Sequence, residues 1–196
     1  VLALSVCVSV YGVVNAATID RTTYSVSFEN GDDDGMRIAL ISDLHLGSEI
    51  GSAQMRRVVE EVNACEADIV VIAGDVFNAE VEDCCDLDET AAELRRIKSR
   101  LGVYAVLGNH DPSPEYPPLQ AFFESAGIRL LNDETVAFSG FTLVGRAESA
   151  PIHGDVSEGR KSLDELLDGA DRSNPVIVID HRPAGVDEAV AVGVDL

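Results

Sequence analysis

Four short apolar runs, each followed at once by polar residues, constrain the fold of this 196-residue chain more than any other feature. The runs lie at residues 38–41, 69–73, 103–107 and 176–179. They consist mainly of β-branched and aliphatic side chains, and continuous runs of this kind are typical of parallel strands that are buried on both faces. Each run is therefore predicted to be a strand of a buried sheet.

Helices are predicted between these strands. The helical stretches lie at about 53–65, 89–100, 118–126 and 162–167. Alternation of strand and helix favours a layered α/β domain with crossover helices. The residues around Ser139-Gly140 instead indicate a hairpin, so we expect a mixed sheet.

Each predicted strand ends in side chains that can bind a metal ion. These polar groups are Asp43-Leu44-His45, Gly74-Asp75, Gly108-Asn109-His110-Asp111 and Asp180-His181-Arg182-Pro183. Because ligands bind outside the carboxyl ends of the strands in open α/β sheets, groups that are distant in sequence can converge there. Taken singly, each group is a weak signal that an ordinary turn or a surface imidazole would also explain. Taken together, they predict one site for divalent metals.

The spacing of these groups resembles the calcineurin-like metallophosphoesterase family. Asp-x-His, Gly-Asp, Gly-Asn-His-Asp and a later His are all present, and the resemblance covers residues 37–196. Residues 42–47 and 180–183 are most similar to the bacterial and archaeal branch that carries an N-terminal membrane segment. The resemblance implies a fold of two packed, partly mixed sheets flanked by helices, incomplete at the C-terminus.

The resemblance also implies a set of metal ligands. Asp43 and His45 would bind one metal, Asn109 and His181 would bind the other, and Asp75 would bridge the two. A bridging carboxylate suits this task because each of its oxygens can bind one cation. Ligation by oxygen and nitrogen without thiolate fits manganese, iron or zinc, and ligand type alone does not choose among them.

Two further residues have roles implied by the same resemblance, and Arg182 is a candidate from its position beside His181 alone. His110 would lie over the phosphoryl group and stabilise its charge or protonate the leaving oxygen. Asp111 would orient an imidazole. Arg182 would contact the substrate phosphate, although a structural arginine is at least as common. The implied reaction is hydrolysis of a phosphomonoester or phosphodiester by a dinuclear metal centre.

The histidines of the chain limit this interpretation. Members of the family carry a further Gly-His-x-His element after the Asp-His-x-Pro turn, whereas this chain contains only His45, His110, His153 and His181. We therefore expect that the chain lacks a C-terminal part, binds metals weakly and hydrolyses poorly. The alternative is a non-catalytic metal-binding or interaction domain that keeps the fold with an incomplete site.

The N-terminal segment is predicted to be separate from the domain. Residues 1–14 are almost wholly apolar, but a complete membrane-spanning helix needs roughly 20 apolar residues. We interpret residues 1–17 as the remnant of a membrane anchor or of a secretory signal. The alternative is that these residues form a buried helix or strand of the fold. Residues 18–36 are predicted to be a linker with a leading strand, and residues 37–196 the phosphoesterase domain. We expect this domain to be membrane-associated outside the cytoplasm, or secreted.

Charge narrows the range of substrates. The formal net charge is −21, and Lys98 and Lys161 are the only lysines. Such a surface repels nucleic-acid backbones and anionic lipids unless salt screens it, so long nucleic acid is a poor substrate candidate. A lipid-linked or a small soluble phosphate ester therefore remains as the candidate substrate. The acidic, lysine-poor composition also resembles that of proteins from salt-loving organisms.

Overall fold

The computed structural model describes residues 2–16, 18–28, 35–78, 80–84, 86–150, 152 and 159–196. The helices are α1 (Leu2–Ala16), α2 (Ser52–Ala64), α3 (Leu87–Leu94), α4 (Pro117–Ala126), α5 (Leu163–Leu166) and α6 (Val186–Ala191). The strands are β1 (Ile38–Ile41), β2 (Ile69–Ala73), β3 (Val103–Val106), β4 (Arg129–Leu130), β5 (Glu134–Ala137), β6 (Thr142–Gly145) and β7 (Val176–Ile179). Two 3₁₀ turns lie at Val81–Asp83 and Pro183–Gly185.

The strands form two sheets. One sheet has the order β1-β2-β3-β4, and all its pairings are parallel. The other has the order β5-β6-β7, in which β5 and β6 form an antiparallel hairpin while β6 and β7 are parallel. The predicted strands, the hairpin around Ser139-Gly140 and the mixed α/β class are therefore confirmed.

The two sheets pack face to face because side chains alternate along each strand. In β2, Ile69 and Val71 point towards the second sheet and share a buried cluster with Leu143 and Ile177. Ile72, one residue further along, points to the opposite face. Successive side chains of a strand point to opposite faces, so a strand buried on both sides needs an unbroken apolar run.

Helices cover the outer faces of both sheets. On the first sheet, Met55 of α2, Leu94 of α3 and Phe122 of α4 lie in one buried cluster. On the second sheet, Leu163 and Leu166 of α5 pack against β6 and β7. Each fully buried side chain of this size stabilises the fold by roughly 1.5–3 kcal/mol. The resulting helix-sheet-sheet-helix stack holds the strand ends in fixed positions.

Helix α3 ends earlier than predicted, at Leu94 rather than near residue 100. The cause is Asn63 of α2, whose side-chain amide donates to the carbonyl of Arg96 at 3.0 Å and accepts from the amide of Lys98 at 2.7 Å. These contacts bind backbone groups that a longer helix would need for its own hydrogen bonds.

The leading strand predicted within residues 18–36 is wrong for residues 18–28, which form neither helix nor strand. An alternating sequence forms a strand only where a neighbouring strand accepts its hydrogen bonds, and most of these side chains are exposed instead. Residues 29–34 lie outside the described part of the chain.

Helix α1 is apolar and exposed. The large side chains that lie more than half exposed are Leu2, Leu4, Val6, Val8, Val10, Tyr11, Val13 and Val14. The alternative of a buried helix or strand is therefore wrong, whereas the anchor or signal interpretation stays a prediction. Within the described residues, no helix combines the length and the apolarity needed to cross a bilayer.

Candidate metal centre

The loops that follow β1 and β2 run side by side and are joined by backbone hydrogen bonds. The amide of Asp43 donates to the carbonyl of Gly74 at 3.1 Å, and the amide of His45 donates to the carbonyl of Asp75 at 3.0 Å. Leu46, which follows directly, is completely buried and fixes the first loop to the core. This pairing places the side chains of Asp43 and His45 next to that of Asp75.

Three residues of this pair of loops adopt left-handed backbone conformations. Their φ angles are 56° for Asp43, 46° for His45 and 53° for Asp75. Such conformations cost an L-residue on the order of 1–2 kcal/mol each, and they concentrate at functional sites. The surrounding packing therefore holds these three side chains in one place against local backbone preference.

Asp75 lies between two imidazoles. Its Oδ2 atom is 3.6 Å from Nε2 of His45, and its Oδ1 atom is 3.4 Å from Nε2 of His181. The backbone amide of His110 also donates to Oδ1 at 3.0 Å. Each oxygen of this buried carboxylate thus faces a different histidine, one from each sheet.

Asp43 completes a compact group of ligand atoms. One ligand atom from each of Asp43, Asp75 and His181 lies within 4.8 Å of the others. His45 Nε2 is 3.9 Å from Oδ1 of Asp43. These distances are too long for hydrogen bonds, but they suit side chains that surround a common cation. Ser42 donates its hydroxyl to Asp43 and orients that carboxylate.

The hydrogen bond of His181 determines which ring nitrogen is free. Its Nδ1 atom is 2.8 Å from the carbonyl oxygen of Ala73. A carbonyl only accepts, so the neutral ring carries its proton on Nδ1 and leaves a lone pair on Nε2. That lone pair faces the Asp75 carboxylate, which is also an electron-pair donor. A cation between the two atoms would satisfy both, and this donor set therefore fits a divalent metal.

Gly108 allows the third loop to approach Asp75. A Cβ atom at position 108 would overlap the Asp75 carboxylate, and one at Gly74 would lie 2.6 Å from Nδ1 of His181. The turn after Gly108 contains Asn109 and His110. Only glycine fits these two contacts, so the two Gly residues belong to the geometry of the site.

The Asn109 and His110 turn lies at the rim of the cluster. The carbonyl of Asn109 accepts a hydrogen bond from Ile152 at 2.7 Å. The His110 ring packs edge-on against that of His45, with ring centroids 5.1 Å apart and an angle of 83° between the planes. His45 and His181 thus face Asp75 with their rings and His110 contacts it with its backbone amide, whereas His153 lies outside the described residues.

Asp111 contacts backbone rather than the imidazole that we predicted. Its carboxylate accepts from the amide of Phe77 at 2.7 Å and from that of Gly108 at 2.8 Å. It is almost completely buried, and this burial raises its pKa to about 6 against the opposing effect of the amide bonds. A carboxylate beside a tight turn finds unpaired backbone amides within reach, and here they bond to both of its oxygens. Asp111 therefore links the loops after β2 and β3.

Arg182 has protein partners. Its guanidinium is 3.6 Å from the carboxylate of Glu148 and 3.5 Å from the carbonyl oxygen of Ala150. These contacts support the structural role rather than the phosphate contact. Sequence reasoning missed Asp180 as a support of the site, although this residue directly precedes His181 and forms an ion pair with Arg160. The position of Asp180 between strand β7 and the ligand His181 is the sequence feature that could have identified it.

Comparisons with known proteins agree with this arrangement. The model of the calcineurin-like phosphoesterase family matches residues 36–194. A transmembrane protein with metallophosphoesterase domain from Danio rerio is 29% identical over 96% of this chain and 45% of its own length. A UDP-2,3-diacylglucosamine pyrophosphatase of Chlamydia muridarum is 36% identical over 39% of this chain and 23% of its own length.

A solved structure supports the fold. The 5'-nucleotidase precursor from Thermus thermophilus superposes with a TM-score of 0.50 and 17% identity, over 78% of this chain and 38% of that one. The chain spans less than half the length of the Danio rerio and Chlamydia muridarum relatives. Because the family model matches most of the chain and the fold agrees with it, the chain belongs to the calcineurin-like phosphoesterase family.

Proposed function

We propose that this chain hydrolyses phosphate esters with a pair of divalent cations. The observation that supports this most directly is the position of Asp75, which turns one carboxylate oxygen to His45 and the other to His181. Those imidazoles come from loops after β1 and β7, so two sheets contribute to one cluster. A carboxylate that separates two nitrogen ligands in this way is suited to bridge two metals.

Electrostatics favour cations at this position. Asp43 and Asp75 bring two carboxylates close together in a protein of net charge −21. Two such charges repel by on the order of 3 kcal/mol at an effective dielectric constant of about 20. A bound cation turns this repulsion into attraction. Manganese, iron and zinc all accept oxygen and nitrogen ligands of these kinds.

The protein side chains would have different roles in hydrolysis. Divalent cations bound here would supply the Lewis acidity that activates a water molecule and neutralises charge on the phosphate. Asp43, His45, Asp75 and His181 would hold them, and the Asn109 amide would add a neutral oxygen ligand. The His110 ring, at the rim, would stabilise charge on the phosphoryl oxygens or donate a proton to the leaving oxygen.

The substrate that we propose is a lipid-linked or small soluble phosphate ester. The negative surface argues against long nucleic acid. The similarity to a protein named as a UDP-2,3-diacylglucosamine pyrophosphatase, and to proteins named as transmembrane, supports a membrane-associated enzyme. We propose that the domain acts at a membrane, outside the cytoplasm, with α1 as its contact.

Asp75→Asn tests the proposal. We expect isothermal titration with Mn²⁺ to show weak but measurable binding by the unsubstituted chain, and its slow hydrolysis of aryl phosphate monoesters or diesters to depend on the metal. The substitution removes the shared charge and should abolish both while circular dichroism stays unchanged. Asp68→Asn is the matched control because Asp68 lies at the opposite end of the same strand and pairs with Arg100 at 3.1 Å.

The outcomes separate the possible functions. Manganese-dependent hydrolysis that survives Asp75→Asn would contradict the dinuclear mechanism. Metal binding without hydrolysis of either ester class would favour the alternative of a non-catalytic metal-binding domain.

A further inference from the structure

Two arginines with little solvent exposure lie beside the turn that carries His181. Arg146 follows β6, and its side chain is 3% exposed, while that of Arg160 is 13% exposed. The Nε atoms of both are buried and have no hydrogen-bond partner among the described residues. Burying a guanidinium with an unsatisfied donor is unfavourable, so strong contacts at the remaining nitrogens must offset this cost.

Those contacts differ between the two arginines. Arg146 donates to the carboxylate of Glu188 at 3.0 Å and to the carbonyl of Lys161 at 3.0 Å, which joins β6 to α6 and to the residues before α5. Arg160 instead forms an ion pair with Asp180, which is itself mostly buried. Arg160 is therefore the arginine that acts on the end of β7.

Asp180 transmits this contact to the candidate metal centre. Its other carboxylate oxygen accepts from the backbone amide of Arg182 at 3.2 Å, which closes the turn around His181. A Cβ atom at Gly185 would lie 3.0 Å from Asp180 and 3.4 Å from Arg160, so the following turn packs tightly against the ion pair. The backbone on both sides of His181 is thus held by the Asp180 carboxylate.

We propose that Arg160 is a positioning residue for the metal centre, which acts through Asp180 to present Nε2 of His181 to Asp75. This inference rests on the proposed function and adds a residue to it. The His181 ring itself makes a hydrogen-bond contact with the carbonyl of Ala73. Without Arg160, the mostly buried Asp180 carboxylate would lose its described ion-pair partner, and the turn would rearrange to expose it.

The direction in which metal affinity changes when Arg160 is removed distinguishes a positioning role from a general electrostatic effect. The protein carries a net charge of −21, so removing an arginine increases the attraction for a cation. A general electrostatic effect of Arg160→Gln would therefore strengthen metal binding. A positioning role would weaken it, because His181 would lose its orientation.

Titration with Mn²⁺ compares Arg160→Gln with the unsubstituted chain. We expect binding to weaken about 10- to 100-fold, as is usual when a group that orients a metal ligand is lost. Arg160→Lys should recover part of the affinity because it restores the charge. Arg100→Gln is the matched control, since it removes an arginine from an exposed ion pair with Asp68 and should not weaken binding.

A double-mutant cycle and a metal-free measurement complete the test. If Arg160 acts through Asp180, Arg160→Gln combined with Asp180→Asn weakens binding no more than the stronger single change. Long-range ¹H–¹⁵N spectra should show the Nδ1-protonated form of His181 in the metal-free chain and a mixture of tautomers in Arg160→Gln. If Arg160→Gln does not fold, Arg160→Lys and Asp180→Asn provide the same comparison.

Two outcomes would overturn the inference, and they are distinguishable. Undiminished Mn²⁺ affinity and unchanged His181 tautomer in folded Arg160→Gln would overturn it alone. Failure of the unsubstituted chain to bind Mn²⁺ would overturn the proposed function together with it.

Discussion

At the scale of single residues, the surroundings of Asp75 explain why a bound cation is expected at the site. The carboxylate is 5% exposed and, within the described part of the chain, accepts one backbone hydrogen bond, from His110 at 3.0 Å. A buried carboxylate needs more compensation than one such bond, because taking the charge out of water costs several kcal/mol. The flanking atoms, Nε2 of His45 and of His181, are potential ligands rather than cations in the neutral rings.

Loss of His181 should mainly affect metal binding, whereas loss of His110 should mainly affect the rate of hydrolysis. His181→Ala is expected to weaken Mn²⁺ binding, because it deletes a ligand that faces Asp75 at 3.4 Å. His110→Ala should leave binding nearly intact and lower kcat about 10²- to 10⁴-fold, the usual contribution of a general acid or base. Calorimetric titration and steady-state kinetics on an aryl phosphate ester measure the two effects separately.

The two variants are each other's control, since both lose one imidazole from the same cluster. Equal loss of metal affinity in both would contradict the division of roles between them.

At the scale of elements, helices α2 and α3 are joined by Asp86. Its carboxylate accepts from the amide of Ser52, at the start of α2, at 2.9 Å and from the hydroxyl of Thr90, in α3, at 3.1 Å. The hydrogen bonds from Ser52 lower the pKa of Asp86 below its ordinary value of 3.8. This carboxylate stabilises an otherwise uncapped helix start, which is typically worth about 1 kcal/mol.

Asp86→Asn should lower the free energy of unfolding at neutral pH, because a neutral amide replaces a carboxylate whose charged form is favoured by the hydrogen bonds from Ser52. Because the pKa of Asp86 is lower in the folded chain, its contribution is fully present above the unfolded value of 3.8 and is lost as pH falls through the folded value. The difference between the two proteins should therefore shrink in acid. Urea unfolding at neutral pH and below pH 3.8 measures this difference.

Asp88→Asn provides a control in the first turn of the same helix α3, where Asp88 is exposed. A difference between Asp86→Asn and the unsubstituted chain that does not change with pH would contradict the assignment.

Helix α1 should bind lipid surfaces through its exposed apolar side chains. Neutral phosphatidylcholine vesicles are the suitable probe, because anionic ones would repel a chain of net charge −21. Val10→Asp is expected to weaken vesicle flotation at least tenfold, since a carboxylate in the middle of an apolar helix opposes insertion. Val190→Asp, at an exposed position of α6, should have no such effect. Equal flotation of all three proteins would contradict the role of α1.

At the scale of the whole molecule, the net charge predicts a dependence on salt. Repulsion among the carboxylates of a chain of net charge −21 opposes the compact state. Raising KCl from about 0.1 M to about 1 M shortens the Debye length from about 10 Å to about 3 Å, so the free energy of unfolding should rise. Urea unfolding at both concentrations measures it.

Sucrose at equal osmolality separates screening from general exclusion of solute, because it carries no charge. A free energy of unfolding that stays constant across the KCl range would contradict both the repulsion and the interpretation of the composition as salt-adapted.

The sequence predicted most of the strands and the residues at their ends. Continuous apolar runs such as Ile69 to Ala73 indicate strands directly, because a strand buried on both faces leaves no polar position. It could not predict where helix α3 ends, since that depends on Asn63 in another helix. The strand predicted within residues 18–28 failed for a related reason, because alternation alone supplies no partner strand.

For the candidate site, the pattern of apolar runs and polar groups predicted the ligand types and their places at strand ends. Three-dimensional packing accounts for the rest. Only it turns the two oxygens of Asp75 towards His45 and His181, assigns Asp111 to the amide of Phe77 and places Arg160 beside Asp180. Each of these contacts joins residues that are at least 20 positions apart in the sequence. Local patterns determine which groups a strand end offers, whereas packing of the two sheets determines which of those groups meet.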